Sequence, residues 1–207
     1  MLKTLILTGA CLGAFALTDS LPDPNGDAPR PSARAAQEFE IDPTHSSVLF
    51  RIDHLQAARF WGRFNAIEGG FRFDPEAPDE SFVRITIPVD GVDTGNENRD
   101  RHLKSQDFFS AVEFPDITFE STKIERVGED AYRVTGDLTI RGQTKEITAG
   151  AQHTGTADVN PRFGLRSGYE ATFEIDRTEF GVSWGAENDM LGRVVRIVIA
   201  LEGKLPG

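Results

Sequence analysis

The residues with the greatest capacity for chemistry are four histidines, His45, His54, His102 and His153, and the charged run Arg99-Asp100-Arg101-His102. Their spacing offers little to a catalytic centre. His45 and His54 stand nine apart, without the i, i+4 helical spacing of a zinc-protease motif, and the single cysteine, Cys11, is remote from both. No serine is read as sitting in a nucleophile elbow, no Walker or dinucleotide glycine loop is present, and the carboxylates form no recognisable spaced pair. No catalytic residue, metal ligand or cofactor is therefore assigned. What His45, His54, Arg99, Asp100 and His102 could do is anchor the polar end of a ligand whose remainder is apolar. The competing reading gives them structural work: a strand-end histidine, an ion pair, a helix cap.

The elements that must position these groups are strands. Val48, Phe50 and Ile52 alternate with Leu49, Arg51 and Asp53, as do Phe60, Gly62, Phe64 and Ala66 with Trp61, Arg63, Asn65 and Ile67, then Val83, Ile85, Ile87 and Val89 with Phe82, Arg84 and Thr86. Ile117, Phe119 and Ser121 continue the pattern, followed by Tyr132 to Ile140, Tyr169 to Ile175, and Val195 to Leu201. Side chains two apart share one face of a strand, so each run has a single apolar face. Seven or eight such runs separated by Gly, Pro, Asn or Asp predict an all-β sandwich or barrel, read here as an antiparallel barrel of about eight strands. Residues 99–109 break the alternation and predict a short helix after Asn96 or Asn98, a plug or lid with Leu103 and Phe108 turned to the barrel.

From residue 37 onward there are fourteen Phe against eight Leu. Phenylalanine gives large apolar walls without a hydrogen-bonding tip, and it also suits any packed β core. A barrel of about eight strands has room either for packed side chains or for one small ligand. Gly62, Gly69, Gly70 and Gly136, on or beside strands, leave space or permit bends. On the hollow reading, Phe50, Phe64, Phe71, Phe119, Leu138, Ile140 and Phe173 line the cavity, each on the apolar face of its run.

The first residues bear on compartment. Lys3 precedes an apolar run from Thr4 to Leu17, and Ala14-Phe15-Ala16 has the small-x-small pattern of a signal-peptidase site, so residues 1–16 are expected to be a cleaved export signal. A weaker match, Thr8-Gly9-Ala10-Cys11, would instead acylate Cys11 and leave a lipid anchor. Residues 17–37, with Pro22, Pro24, Pro29 and Pro31, are expected to be a linker, and residues 38–207 the domain. That domain has no cysteine to form a disulfide. The net charge of −11 disfavours phosphate backbones and anionic surfaces, so nucleic acid is not an expected partner.

The quoted runs resemble one family. Asp42-Pro43-Thr44-His45-Ser46-Ser47-Val48-Leu49-Phe50 with His54, Gly62-Arg63-Phe64, Phe71-Arg72-Phe73-Asp74, Arg99 to Leu103 with Asp107-Phe108-Phe109, Phe114 to Phe119, Gly136 to Gly142 and Phe180-Gly181-Val182 are similar, in order, to the YceI-like proteins. The resemblance implies a lipocalin-like barrel, periplasmic or secreted, holding a polyisoprenoid, an isoprenoid quinone or another long-chain amphiphile, and sometimes a homodimer. The expectation is thus an exported carrier rather than an enzyme. The rivals are an enzyme on a lipid-like substrate with His54 or His102 as base, and a filled barrel serving as an interaction module.

Overall fold

The computed structural model describes residues 37–74, 80–158 and 160–206. The expected export signal, Cys11 and nearly all of the proline-rich stretch lie outside these residues. Eleven strand segments form one antiparallel sheet: β1 (Phe39–Ile41), β2 (Ser47–His54), β3 (Ala58–Phe64), β4 (Glu68–Arg72), β5 (Phe82–Pro88), β6 (Val92–Asp93), β7 (Asp116–Arg126), β8 (Ala131–Ile140), β9 (Gln143–Ala157), β10 (Arg166–Asp176) and β11 (Leu191–Lys204). The last strand pairs with β2 along most of its length and with β1 at its end, which closes the sheet on itself. β1 with β2, β3 with β4, and β5 with β6 each act as one interrupted strand, so the ring is an eight-strand, up-and-down barrel.

Each interruption has a local cause. Pro88 ends β5 and a short 3-10 helix, Val89–Gly91, turns the chain before β6. Between β3 and β4 the Asn65 amide donates to the Gly91 carbonyl at 2.8 Å, and Ile67 is buried. Between β1 and β2, Pro43 has no amide proton to offer the ladder. There the Asp42 carboxylate accepts from the Thr44 amide at 2.9 Å, and the Ser46 hydroxyl accepts from the Glu202 amide at 3.0 Å. The helix predicted over 99–109 is α1, Glu97–Lys104, with Asn96 as its N-cap accepting from the Arg99 amide at 3.0 Å. Residues 105–114 continue as hydrogen-bonded turns because the Ser105 carbonyl takes the amides of Phe108 and Ser110 at 3.1 and 2.8 Å.

One barrel end is filled by aromatic side chains. Phe39 stacks on Phe71 at 5.5 Å, Phe71 meets Tyr169 edge-on at 5.3 Å, and Phe73 stacks on Tyr169 at 4.2 Å. Gly203 permits this closure, since a Cβ there would lie 2.5 Å from the Phe71 ring.

At this same end the Arg166 guanidinium reaches Asp42 at 2.6 Å and Glu202 at 3.3 Å, while His45 Nδ1 lies 3.1 Å from Asp42. The donor atoms of Asp42, His45 and Glu202 come within 4.8 Å of one another, a spacing that would suit a cation, and the guanidinium supplies that positive charge. Burial pushes the Asp42 carboxyl up, but hydrogen bonds from Arg166, His45 and the Thr44 amide outweigh it and hold the pKa well below the ordinary value. The folded pKa is below the unfolded one, so this stabilisation is present at neutral pH and is lost as pH falls from about 4 towards the folded value. Asp42→Asn is therefore expected to cost roughly 1.5–3 kcal/mol at pH 7. Urea titrations at pH 7, 4 and 2.5 should show the gap from wild type narrowing with acid; a constant gap contradicts the assignment.

Candidate functional site

Opposite the aromatic end the barrel is hollow. A cavity of about 380 Å³ runs between the inward faces of the strands, within the range of small-molecule sites. Tyr169 and Ile175 both face it, six residues apart on β10, so at roughly 3.3 Å per residue the lined length is about 20 Å. Three alanines keep it open. Ala149, Ala151 and Ala171 point inward, and Ala151 stands directly opposite Ala171 in the β9–β10 ladder, leaving one side of the wall without bulk.

Two glycines create room of another kind. Gly62 faces Phe50 across β2–β3, and a Cβ on it would lie 2.3 Å from the ring. Gly136 approaches both the Phe119 ring, 2.6 Å from a built Cβ, and the Glu120 carbonyl oxygen, 2.4 Å away. The Phe50 ring lies over the glycine directly opposite it, and the Phe119 ring over Gly136, a diagonal neighbour in the β7–β8 ladder.

The cavity reaches the surface at the far end of β2. His54, Arg99 and Trp184 line it and are exposed. α1 and the turns after it form a cap there, inserting Leu103, Phe108 and Phe109. Trp184 tilts against Phe108 at 5.4 Å and meets the His102 ring edge-on at 5.0 Å. The Arg141 guanidinium fastens the cap to the rim by donating to the Phe108 carbonyl at 3.1 Å and the Gly181 carbonyl at 2.7 Å. Arg141 and Gly142 both have positive φ, 50° and 69°, as the two-residue β8–β9 hairpin requires.

Of the residues singled out from sequence, Phe50, Phe64, Phe119, Leu138, Ile140 and Phe173 face the cavity. Phe71 does not: it belongs to the aromatic end, pinned between Phe39 and Tyr169. The polar set divides. His54, Arg99 and His102 gather at the open end, with Arg99 over the Phe60 ring at 4.3 Å and His102 Nε2 2.8 Å from Asp107. Asp100 turns away, accepting from the Thr94 amide at 2.9 Å and from the Thr94 hydroxyl. His45 sits at the opposite end of the barrel with Asp42, because β2 separates it from His54 along the barrel wall.

Sequence reasoning missed Arg177, which lines the cavity from the 3-10 helix Arg177–Phe180. Alternation ends at Asp176, so no strand pattern could point it inward. It also passed over Gly181-Val182-Ser183-Trp184-Gly185, which spells Gly-x-Ser-x-Gly. The setting is not a nucleophile elbow, which needs a strand leading into a helix: this segment follows the 3-10 helix and runs through turns into β11. Ser183 does not line the cavity, and its hydroxyl makes no hydrogen bond among the described residues.

The YceI-like domain description matches residues 39–203, the whole of this barrel. The chain belongs to the YceI-like family. Protein YceI of Salmonella newport is 36% identical over 170 residues, covering 81% of this chain and 87% of that one. A UPF0312 protein of Photorhabdus laumondii is 34% identical over 204 residues, 98% of each. Among solved structures, Burkholderia cenocepacia BcnA superposes with a TM-score of 0.69 at 25% identity, covering 79% of this chain and 99% of that one. Campylobacter jejuni YCEI protein gives 0.66 at 30%, with coverage of 74% and 90%. A polyisoprenoid binding domain from Saccharophagus degradans gives 0.64 at 17%, covering 83% and 100%, a likeness of fold. This YceI-like barrel thus has the all-β character that the alternation of its strands predicts and the closed form that the family resemblance implies.

The two wall glycines should respond differently to a methyl group. Gly136→Ala collides with backbone and is expected to cost roughly 1–3 kcal/mol. Gly62→Ala meets only the outer atoms of Phe50, whose ring can swing into the hollow, so its cost should be smaller. Equal losses in paired urea titrations would mean the interior lacks that space.

Proposed function

We propose that this protein carries or sequesters a long-chain amphiphile, an isoprenoid or similar lipid, in the barrel cavity after export to the periplasm or medium. The observation that carries this reading is the roughly 20 Å hollow, walled mainly by Phe, Ile, Val, Leu and Ala around the barrel, with its ionisable groups other than Tyr169 gathered at the exposed end. Among the described residues the wall holds no serine, cysteine or carboxylate, and its hydroxyls are those of Thr118 and Tyr169. Burial, reinforced by nearby Tyr132, raises the Tyr169 pKa and keeps the phenol neutral, so the closed end presents no charge to a hydrocarbon tail. The Saccharophagus degradans neighbour is described as polyisoprenoid-binding, and YceI-like relatives share this barrel; the ligand class proposed here rests on the cavity itself.

Apolar contact is sufficient for useful affinity. Burying ten methylenes is worth about 8 kcal/mol at roughly 0.8 each, a micromolar dissociation constant before the costs of ordering the chain. Such contact reads length and width rather than identity.

Protein purified from its native compartment, extracted with organic solvent and examined by mass spectrometry, is expected to release a long-chain amphiphile in near-stoichiometric amount. Ala171→Trp fills the alanine side of the wall and should lower lipid content at least tenfold while leaving the fold and thermal midpoint intact. Trp184 gives a second readout, since ligand entry past it should shift its emission in a Trp61→Phe background. An empty extract together with no uptake of added lipids would sink the carrier reading.

A further inference from the structure

The charge of the cavity is opposite to the charge of the protein. The chain carries 33 acidic against 22 basic residues, yet no Asp or Glu among the described residues lines the cavity. Its ionisable lining groups are Tyr169 at the closed end and His54, Arg99, His102 and Arg177 at the open end.

Arg177 is the telling member. It is only 4% exposed, and its guanidinium donates to three backbone carbonyls: Gly192 at 2.8 Å, Val182 at 2.7 Å and Leu191 at 3.2 Å. No carboxylate lies within ion-pair distance of it among the described residues. Asp176, its neighbour in sequence, spends its oxygens on Thr178 and on Arg193 at 3.1 Å. Each of its three nitrogens is thus engaged once among the described residues, of the five N–H donors a guanidinium carries. Burial, the dominant influence, pulls the Arg177 pKa down and the Asp176 charge opposes it, yet an arginine keeps its proton in any protein setting. The result is a permanent buried cation at the edge of an apolar hollow, held by three carbonyl dipoles and by no formal countercharge among the described residues.

Arg99 repeats the pattern at the surface. It bonds Thr94 through the hydroxyl at 2.7 Å and the carbonyl at 2.6 Å, lies over Phe60, and has no carboxylate partner among the described residues. His54 makes no side-chain hydrogen bond there, and only His102 is engaged by an acid, Asp107.

We propose that the cargo carries an anionic oxygen head group, a carboxylate or a phosphate monoester, on a long apolar chain, and that Arg177 and Arg99 hold this head at the open end. This rests on the carrier reading above and narrows it: a neutral carbonyl or alcohol would take a hydrogen bond but leave the buried charge unbalanced, whereas an anion meets both needs.

The test compares tail-matched probes on delipidated full-length protein by titration calorimetry: palmitate, hexadecyl phosphate and hexadecanol. The expected result is at least tenfold tighter binding of one or both anions than of the alcohol, the tighter anion identifying the head. Arg177→Gln should lower anion affinity about tenfold more than it lowers hexadecanol affinity. Because Arg177 also ties three carbonyls, Arg99→Gln, at an exposed position, is the second variant, with a loss in the same direction. Equal affinity for palmitate, hexadecyl phosphate and hexadecanol overturns the head-group proposal and leaves lipid carriage standing. An anion preference that survives both substitutions overturns the assignment to these arginines. Failure of all three probes to bind overturns the carrier reading and this inference with it.

Discussion

Closure of the sheet is the constraint from which the remaining features follow. When β11 pairs with β2 and β1, the ladder closes into a ring, every second side chain is committed to the interior, and the interior has a width fixed by strand number. An eight-strand ring can be filled by large residues or left hollow by small ones. Here the choice varies along the axis. Phe39, Phe71, Phe73, Tyr132 and Tyr169 fill one end, while Ala149, Ala151 and Ala171 leave the middle open. The cavity gives up packing contacts that a filled barrel would gain.

Much of this was legible because alternation is a local signal. Phe50, Phe64, Phe119, Leu138, Ile140 and Phe173 could be turned inward from their neighbours alone, and the structure places them on the cavity wall. Phe71 obeys the same alternation but lies beyond the cavity, since period two tells a face and not a position along the axis. The histidines show the same limitation. His45 and His54 bracket β2, so the strand separates them by its own length, and no feature of sequence says which end of a barrel is open. Arg177 was invisible for a further reason: it follows the strand's last residue, in a 3-10 helix whose direction is set by contacts to Gly192 and Leu191.

The open end joins elements distant in sequence. Arg141, from the β8–β9 turn, holds the Phe108 and Gly181 carbonyls together, so the segment after α1 and the 3-10 helix carrying Arg177 share one clamp. Trp184 lies against Phe108 and His102 from the same side. The groups that would meet a head group are therefore fixed by the contacts that seat the cap. Movement of the cap to admit a chain would have to break or stretch the Arg141 hydrogen bonds first.

Affinity and selectivity are thus separated in space. The wall contributes a term proportional to buried apolar area, which grows with chain length and is nearly blind to chemistry. On the proposed anionic head, the rim would contribute a term that is zero for a hydrocarbon and larger for an anion, because a cation without a formal countercharge in a low-dielectric setting gains most from an opposite charge. The net negative charge of the chain sharpens this division: like charges over much of the exterior repel anionic surfaces, and the few cations without acidic partners that face the hollow stand where one ligand molecule can reach them. A barrel built this way would tolerate many tails while choosing among heads, and its choosing residue would sit just past the end of a strand.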